Sequence, residues 1–320
     1  MKFLIIQTAF IGDVILATPL ITELHRIYPD SEIDLLVKKG NEILLEGNPY
    51  VRHIISFDKS TSKRKSLKHL LKGIRAEKYD EVINLHRFGS SGILTAFSGA
   101  PSRVGFDKNP FSFRYTKKVR HQIEGGVHEV ERNLQCIAHH GAQSLVRPSI
   151  YPKQEIFESI RKFQTGPYIC MAPASVWFTK QLPREKWIEL IQQQANDQQI
   201  YLLGGPDDQE LCQRIVNEAT HPNCRSLCGQ LSILESAALM SGALMNYVND
   251  SGPLHFCSAM NAPVTAFFCS TTPDFGFGPL SDNSRILEAN PSPSCKPCGL
   301  HGHKACPKVH FKCGFEIKLD

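Results

Sequence analysis

Three short polar clusters in this chain carry residue types able to bind and activate an anionic substrate, and each follows an apolar run. In the first, Thr8-Ala9-Phe10-Ile11-Gly12-Asp13, the glycine permits a tight turn and Asp13 stands at a helix start. There its carboxylate either caps helix amides or faces a substrate as a proton acceptor. The cluster has one glycine where a dinucleotide fingerprint needs three, which counts against a nicotinamide oxidoreductase. In the second, spanning 172–180, Lys180 offers a point charge and Ser175 and Thr179 offer hydroxyl donors, a set suited to a diphosphate. The third, Asn249-Asp250-Ser251-Gly252-Pro253-Leu254-His255, joins a strand to a helix that begins near Pro253. Free amides and the positive helix end then point at whatever lies beyond, which makes an anion site. Asp250 and Ser251 can instead cap that helix, while His255, one turn inside, is within reach of a phosphate oxygen.

Other groupings are less specific. Seven basic residues between Lys59 and Arg75, Lys63, Arg64, Lys65 and Lys68 among them, flank a helix with apolar residues at Leu67, Leu70, Leu71 and Ile74, without one acidic residue in the run. One face packs; the other is either a solvated surface or a site for acceptor phosphates and anionic lipid. Arg114, Lys117, Lys118 and Arg120 add to the same field. His128-Glu129 opens a further helix but lacks the second histidine of a zinc-protease motif, leaving salt bridging and substrate contact as its two readings. Cys295, Cys298, Cys306 and Cys313, interleaved with His301, His303 and His310, offer either a structural zinc site or a compact reduced tail.

The elements that must position these clusters alternate along the chain. Lys2–Gln7, 32–37, His53–Phe57, 80–84 and 103–106 read as strands, with one helix from Asp13 to Ile27 stopped by Pro29-Asp30. A second set follows the polar stretch 147–153: Tyr168–Ala172, 199–203, 243–248, 264–269 and 285–288. Strands separated by helices imply parallel sheets covered on both faces, and ligands then sit outside the carboxyl ends of the strands. The expected organisation is one such α/β domain over 1–150, a second over 151–294 and a cysteine-rich tail over 295–320 that packs back on the N-terminal domain. The length of 320 residues and 42% hydrophobic content supply two cores of that size.

A net charge of +5 and a charged fraction of 21% exclude a disordered chain and a nucleic-acid coat. Asp13 interrupts the apolar run from Phe3 to Leu20 and argues against a signal peptide. Seven of the eleven cysteines lie scattered in apolar or helical contexts, which fits a reducing compartment.

Taken together, Q-T-A-F-I-G-D-V-I-L-A-T-P at 7–19, F-T-K-Q-L-P at 178–183, N-D-S-G-P-L-H at 249–255 and F-F-C-S-T-T-P at 267–273 resemble glycosyltransferase family 9 in order and spacing. The tail, C-x-P-C with a later Cys-Pro and Cys, resembles the second-heptose branch of that family. The resemblance implies a GT-B fold of two Rossmann-like domains with parallel sheets facing across a cleft. It also implies metal-independent, inverting transfer of heptose from ADP-heptose to a lipopolysaccharide inner-core acceptor. Asp13 matches the proposed base, Lys180 and Thr179 the diphosphate contacts, and Asp250, Ser251, Gly252 and His255 the phosphate loop. Leu231 falls at an adenine contact and Asp208 at a ribose contact. Gly12, Lys63, Arg64, Lys65, Lys68 and Arg120 fall to the acceptor side. No cofactor is required beyond the nucleotide sugar. The expected partners are a lipid-linked core oligosaccharide and the anionic inner face of the cytoplasmic membrane, with a cytoplasmic, peripheral location and no nucleic acid. The rival readings are a family member using another nucleotide sugar and a nucleotide-sugar-binding protein of envelope assembly without turnover.

Overall fold

Runs of Val, Ile, Leu and Phe of four to seven residues, buried on both faces, form the centre of two parallel sheets. A computed structural model describes residues 1–58, 63–123 and 125–319, with residues 63 and 64 described by their backbone alone. The chain divides into two compact units, Met1–Tyr151 and Pro152–Asp320.

In the first unit β1 (Lys2–Gln7), β2 (Glu32–Lys38), β3 (His53–Phe57), β4 (Glu81–Asn84), β5 (Ser102–Phe106) and β6 (Lys117–Val119) lie in the order β3-β2-β1-β4-β5-β6, all parallel. Its helices are α1 (Ile11–Ile15), α2 (Thr18–Ile27), α3 (Lys63–Glu77), α4 (Gly89–Ala96) and α5 (Glu129–Leu134). The single helix expected from Asp13 to Ile27 is two helices. Pro19 has no N–H to give and its ring collides with a preceding carbonyl in a helix interior, so it sits in the first turn of α2. Gly12 accordingly lies inside α1 rather than in a turn before it. The amphipathic reading of α3 holds: Leu67, Leu70 and Leu71 pack against a core that includes Ile74, Phe57 and Tyr79.

The second unit repeats the topology. The strands β7 (Tyr168–Ala172), β8 (Gln199–Leu202), β9 (Cys224–Ser226), β10 (Asn246–Asn249), β11 (Val264–Phe267) and β12 (Ser284–Leu287) take the order β12-β11-β10-β7-β8-β9, again parallel. Helices α6 (Gln154–Ile160), α7 (Arg184–Gln192), α8 (Gln209–Ala219), α9 (Ile233–Ser241) and α10 (Gly252–Met260) separate them, and α11 (Lys312–Phe315) closes the chain. Both units thus have the doubly wound order of a Rossmann sheet, and together they make the α/β, GT-B class. The order reverses between β1 and β4 in one unit and between β7 and β10 in the other.

The tail is not a separate layer. Phe311, Cys313 and Ile317 are buried in the core of the second unit with Trp187, Phe267 and Cys269, because apolar side chains at this spacing lose more surface to water inside the core than on it. All eleven cysteines are free. Among the described residues no helix is long and apolar enough to cross a membrane.

Candidate functional site

In the second unit the polar clusters converge at the switch point. Lys180 ends a 3-10 turn, Phe178–Lys180, in the loop after β7; Asp250 follows β10, and Ser270 and Thr271 follow β11. These are the carboxyl ends of three adjacent strands. Lys180 Nζ lies 2.6 Å from Asp250 Oδ2, with both side chains largely buried. The Thr271 hydroxyl donates to the same oxygen at 2.7 Å. Asp250 therefore holds the lysine in place with a charge-assisted contact, and a second donor fixes the carboxylate. Asn249, one residue earlier, locks the strand ends together by accepting from Leu182 N–H at 2.8 Å and donating to the Pro173 carbonyl at 2.8 Å.

The helix beyond completes the cradle. Ser251 is the N-cap of α10 with extended backbone, and Pro253 in the first turn removes an amide that would otherwise lack a partner. A Cβ built on Gly252 would meet no atom within 4 Å, so the helix start is open to an incoming anion. His255 is buried one turn inside, its ring centroid 6.4 Å from that of Phe277.

Thr179 has a different place from the one expected of a ligand donor. It is buried, and its Oγ1 accepts from the Ser270 hydroxyl at 3.0 Å and from His303 N–H at 2.7 Å. Its own N–H donates to the His303 carbonyl at 3.1 Å. The cysteine-rich tail is thereby laced onto the lysine loop. Gly302, at φ +74°, passes so close that a Cβ there would stand 3.0 Å from both Lys180 Cγ and Thr179 Oγ1. Cys298 N–H donates to the Ser270 carbonyl at 2.8 Å, and Lys296 Nζ, almost fully buried, donates to the Phe268 carbonyl and to Glu288, each at 2.6 Å.

The four tail cysteines do not close on a metal-sized centre. Cys295 Sγ faces His310 Nε2 at 3.9 Å, Cys298 Sγ bonds the Cys295 carbonyl, and Cys313 points into the apolar core. Burial, then the neighbouring Cys298, pushes the Cys313 thiol up to about 11. Among the described residues the set of three metal-capable ligands with atoms all within 4.8 Å is instead Glu81, His139 and His140 in the first unit.

Ser175 is half-buried in the lysine loop, where its carbonyl accepts from Gln181 Nε2 at 2.7 Å. Asp208 folds back on its own loop, Oδ2 accepting from Gly205 N–H at 2.8 Å. Leu231, half-buried, lies between the turn after β9 and the Ser232 cap of α9.

In the first unit Asp13 stands at the third position of α1, and its Oδ2 accepts from Phe10 N–H at 3.2 Å. The capping geometry is thus present. It does not exclude a substrate role, since one carboxylate has about four acceptor positions. Around it stand groups that inspection of the sequence left undecided or missed. His128 caps α5, its Nδ1 accepting from Val130 N–H at 3.1 Å. Glu129 and Arg132 form a buried pair at 2.7 Å. Burial pushes the Glu129 carboxyl up, Arg132 opposes, and the charge of Asp13 adds to the rise, so the two carboxylates share one electrostatic neighbourhood. Asn133 Nδ2 donates to the Leu16 carbonyl at 3.2 Å and ties α5 to the end of α1. Across the switch point His86 Nδ1 lies 3.0 Å from Thr8 Oγ1, and Phe10 and Phe88 are exposed beside it. His86 had no signal beyond its position just after a strand.

Lys65, Lys68 and Arg120 are exposed, the first two on α3. Lys59 and the side chains of Lys63 and Arg64 lie outside the described residues.

Residues 67–305 match the family model described as glycosyltransferase family 9 (heptosyltransferase). The chain is 28% identical to lipopolysaccharide heptosyltransferase 3 of Escherichia coli over 86% of this chain and 85% of that one. It is 26% identical to lipopolysaccharide heptosyltransferase 2 of E. coli K12, over 90% and 88%. Among solved structures, E. coli ADP-heptose lps heptosyltransferase II superposes with a TM-score of 0.76 at 24% identity, covering 90% of each chain.

Proposed function

Because the chain belongs to glycosyltransferase family 9, we propose that it moves heptose from ADP-heptose onto a lipopolysaccharide inner-core acceptor, with inversion at the anomeric carbon. In this reading Asp13 takes the proton of the acceptor hydroxyl as that oxygen bonds to the anomeric carbon. The bond from that carbon to the phosphate oxygen breaks, and its electron pair leaves on ADP. Charge grows on the departing diphosphate. Lys180, the amides at the start of α10 and the Ser251 hydroxyl stabilise it, a duty that a divalent metal performs in other transferases. Asp250 and Thr271 hold Lys180 for this task, and Thr179 fixes the loop that carries it. Ser175, Asp208, Leu231 and His255 complete the donor side. Lys65, Lys68 and Arg120, with Lys63, Arg64 and Gly12, meet the acceptor and the anionic membrane surface from the cytoplasm.

The observation that carries this reading is the Lys180–Asp250–Thr271 set, two contacts of 2.6 and 2.7 Å beside an open helix start. Such a cradle suits a diphosphate. Mass spectrometry after incubation with ADP-heptose and truncated lipid-core acceptors should find one acceptor enlarged by a single heptose. Consumption of a different nucleotide sugar, with ADP-heptose left intact, would contradict the donor.

A further inference from the structure

The first unit contains a second chemically unusual cluster at the other end of its sheet. Glu81 opens β4 and pairs in register with Phe3 at the start of β1, whereas Asp13 lies past the carboxyl end of β1. The Glu81 carboxylate is buried. Its Oε1 is 3.1 Å from His140 Nε2 and its Oε2 is 3.2 Å from His139 Nε2. Oε2 also accepts from the Ser102 hydroxyl at 2.6 Å, and His140 Nδ1 is 3.0 Å from the Tyr28 hydroxyl.

We propose that Glu81, His139 and His140 bind a structural zinc ion at the amino end of the first sheet. Three features suit an ion. One carboxylate oxygen of Glu81 and one ring nitrogen of each histidine lie within 4.8 Å of one another, a spread that one ion with bonds of about 2.0 Å can draw together. Two imidazoles and a carboxylate form a borderline N/O set of the kind zinc takes. His140 has an outer partner on its second ring nitrogen, the Tyr28 hydroxyl, that orients the ring as metal-bound imidazoles are oriented. His139 is partly exposed, which gives the ion an entry and leaves room for a water as fourth ligand.

The ion would pin four pieces of chain that pack around it: β4 through Glu81, β5 through Ser102, the 3-10 turn Gln135–His140 and the end of α2 through Tyr28. Its place away from Asp13 makes its contribution one of stability rather than chemistry.

The test uses the full chain carrying Cys295→Ser, Cys298→Ser and Cys306→Ser, so that tail thiols do not compete, stripped with chelator and titrated with zinc. About one zinc per chain should bind, and the thermal midpoint should rise. Cobalt in its place should give a tetrahedral spectrum without a thiolate charge-transfer band. Adding His139→Gln and His140→Gln should abolish both binding and the rise while leaving heptose transfer unchanged. X-ray absorption at the zinc edge of the parent variant should find imidazole nitrogen at about 2.0–2.1 Å, a readout that does not depend on the histidine variants folding. Failure of the parent variant to bind zinc, equal binding by the histidine variants, or sulfur around the metal would each overturn the proposal and return the cluster to a hydrogen-bonded anchor.

Discussion

The two units share one strand order but differ in how finished their switch points are. In the second, the groups of the lysine cradle are already bonded to one another: Lys180 to Asp250, Asp250 to Thr271, Thr179 to Ser270 and His303. In the first, Asp13 reaches back to its own turn, two phenylalanines are exposed, and Lys65, Lys68 and Lys72 of α3 face solvent. Equal topology therefore does not give equal preorganisation. A diphosphate is the same in every donor and rewards a rigid cradle, because a prepaid arrangement costs no reorganisation when charge develops. In the proposed reading the acceptor is met instead by the open, positively charged surface.

The sharpest way to break this contrast is to remove the carboxylate proposed as the base on the open side. Asp13→Asn should lower turnover by about 10²–10⁴, measured with ADP-heptose and the acceptor at saturation. Full turnover would leave Asp13 only its capping bond. Lys180→Ala strikes the rigid side and should cost about 10²–10³ in kcat/KM for the donor, since it removes charge present both before and during departure. An unchanged donor response would mean that Asp250 holds the lysine for stability alone.

How much of this contrast was written in the sequence depends on the length and locality of each signal. Strands β1, β3 and β7 have the bounds expected from their apolar runs. The edge strands β6 and β9 escaped notice because each has three residues and carries charges that look like loop. Lys180 and Asp250 were each legible as members of anion loops, but their pairing joins residues seventy positions apart and no local pattern encodes it. The place of the tail is hidden for the same reason: Phe311, Cys313 and Ile317 are spaced among charged residues, and His303 meets Thr179 across 124 positions. Glu129 shows the converse. Its motif was visible, but only burial and the proximity of Asp13 give it meaning.

Smaller effects sharpen the comparison further. The double change Lys65→Glu and Lys68→Glu should raise the acceptor KM by roughly tenfold and make it less sensitive to salt, with donor KM unchanged. An unaffected acceptor response would reduce this face of α3 to solvated surface. Gly302→Ala places a side chain at a left-handed φ and against Lys180 Cγ, a strain of about 1–2 kcal/mol. Donor KM should rise by up to about tenfold while acceptor KM stays put. A loss confined to thermal stability would show that the tail props the fold and not the lysine.

The central claim is that the nucleotide depends on the second unit's cradle and not on the first unit's acid. Calorimetric titration of ADP into the wild type, Asp13→Asn and Lys180→Ala tests it most directly. Asp13→Asn should bind ADP as the wild type does, and Lys180→Ala should bind it at least roughly tenfold more weakly. Weakened binding in Asp13→Asn with unaltered binding in Lys180→Ala would contradict the account.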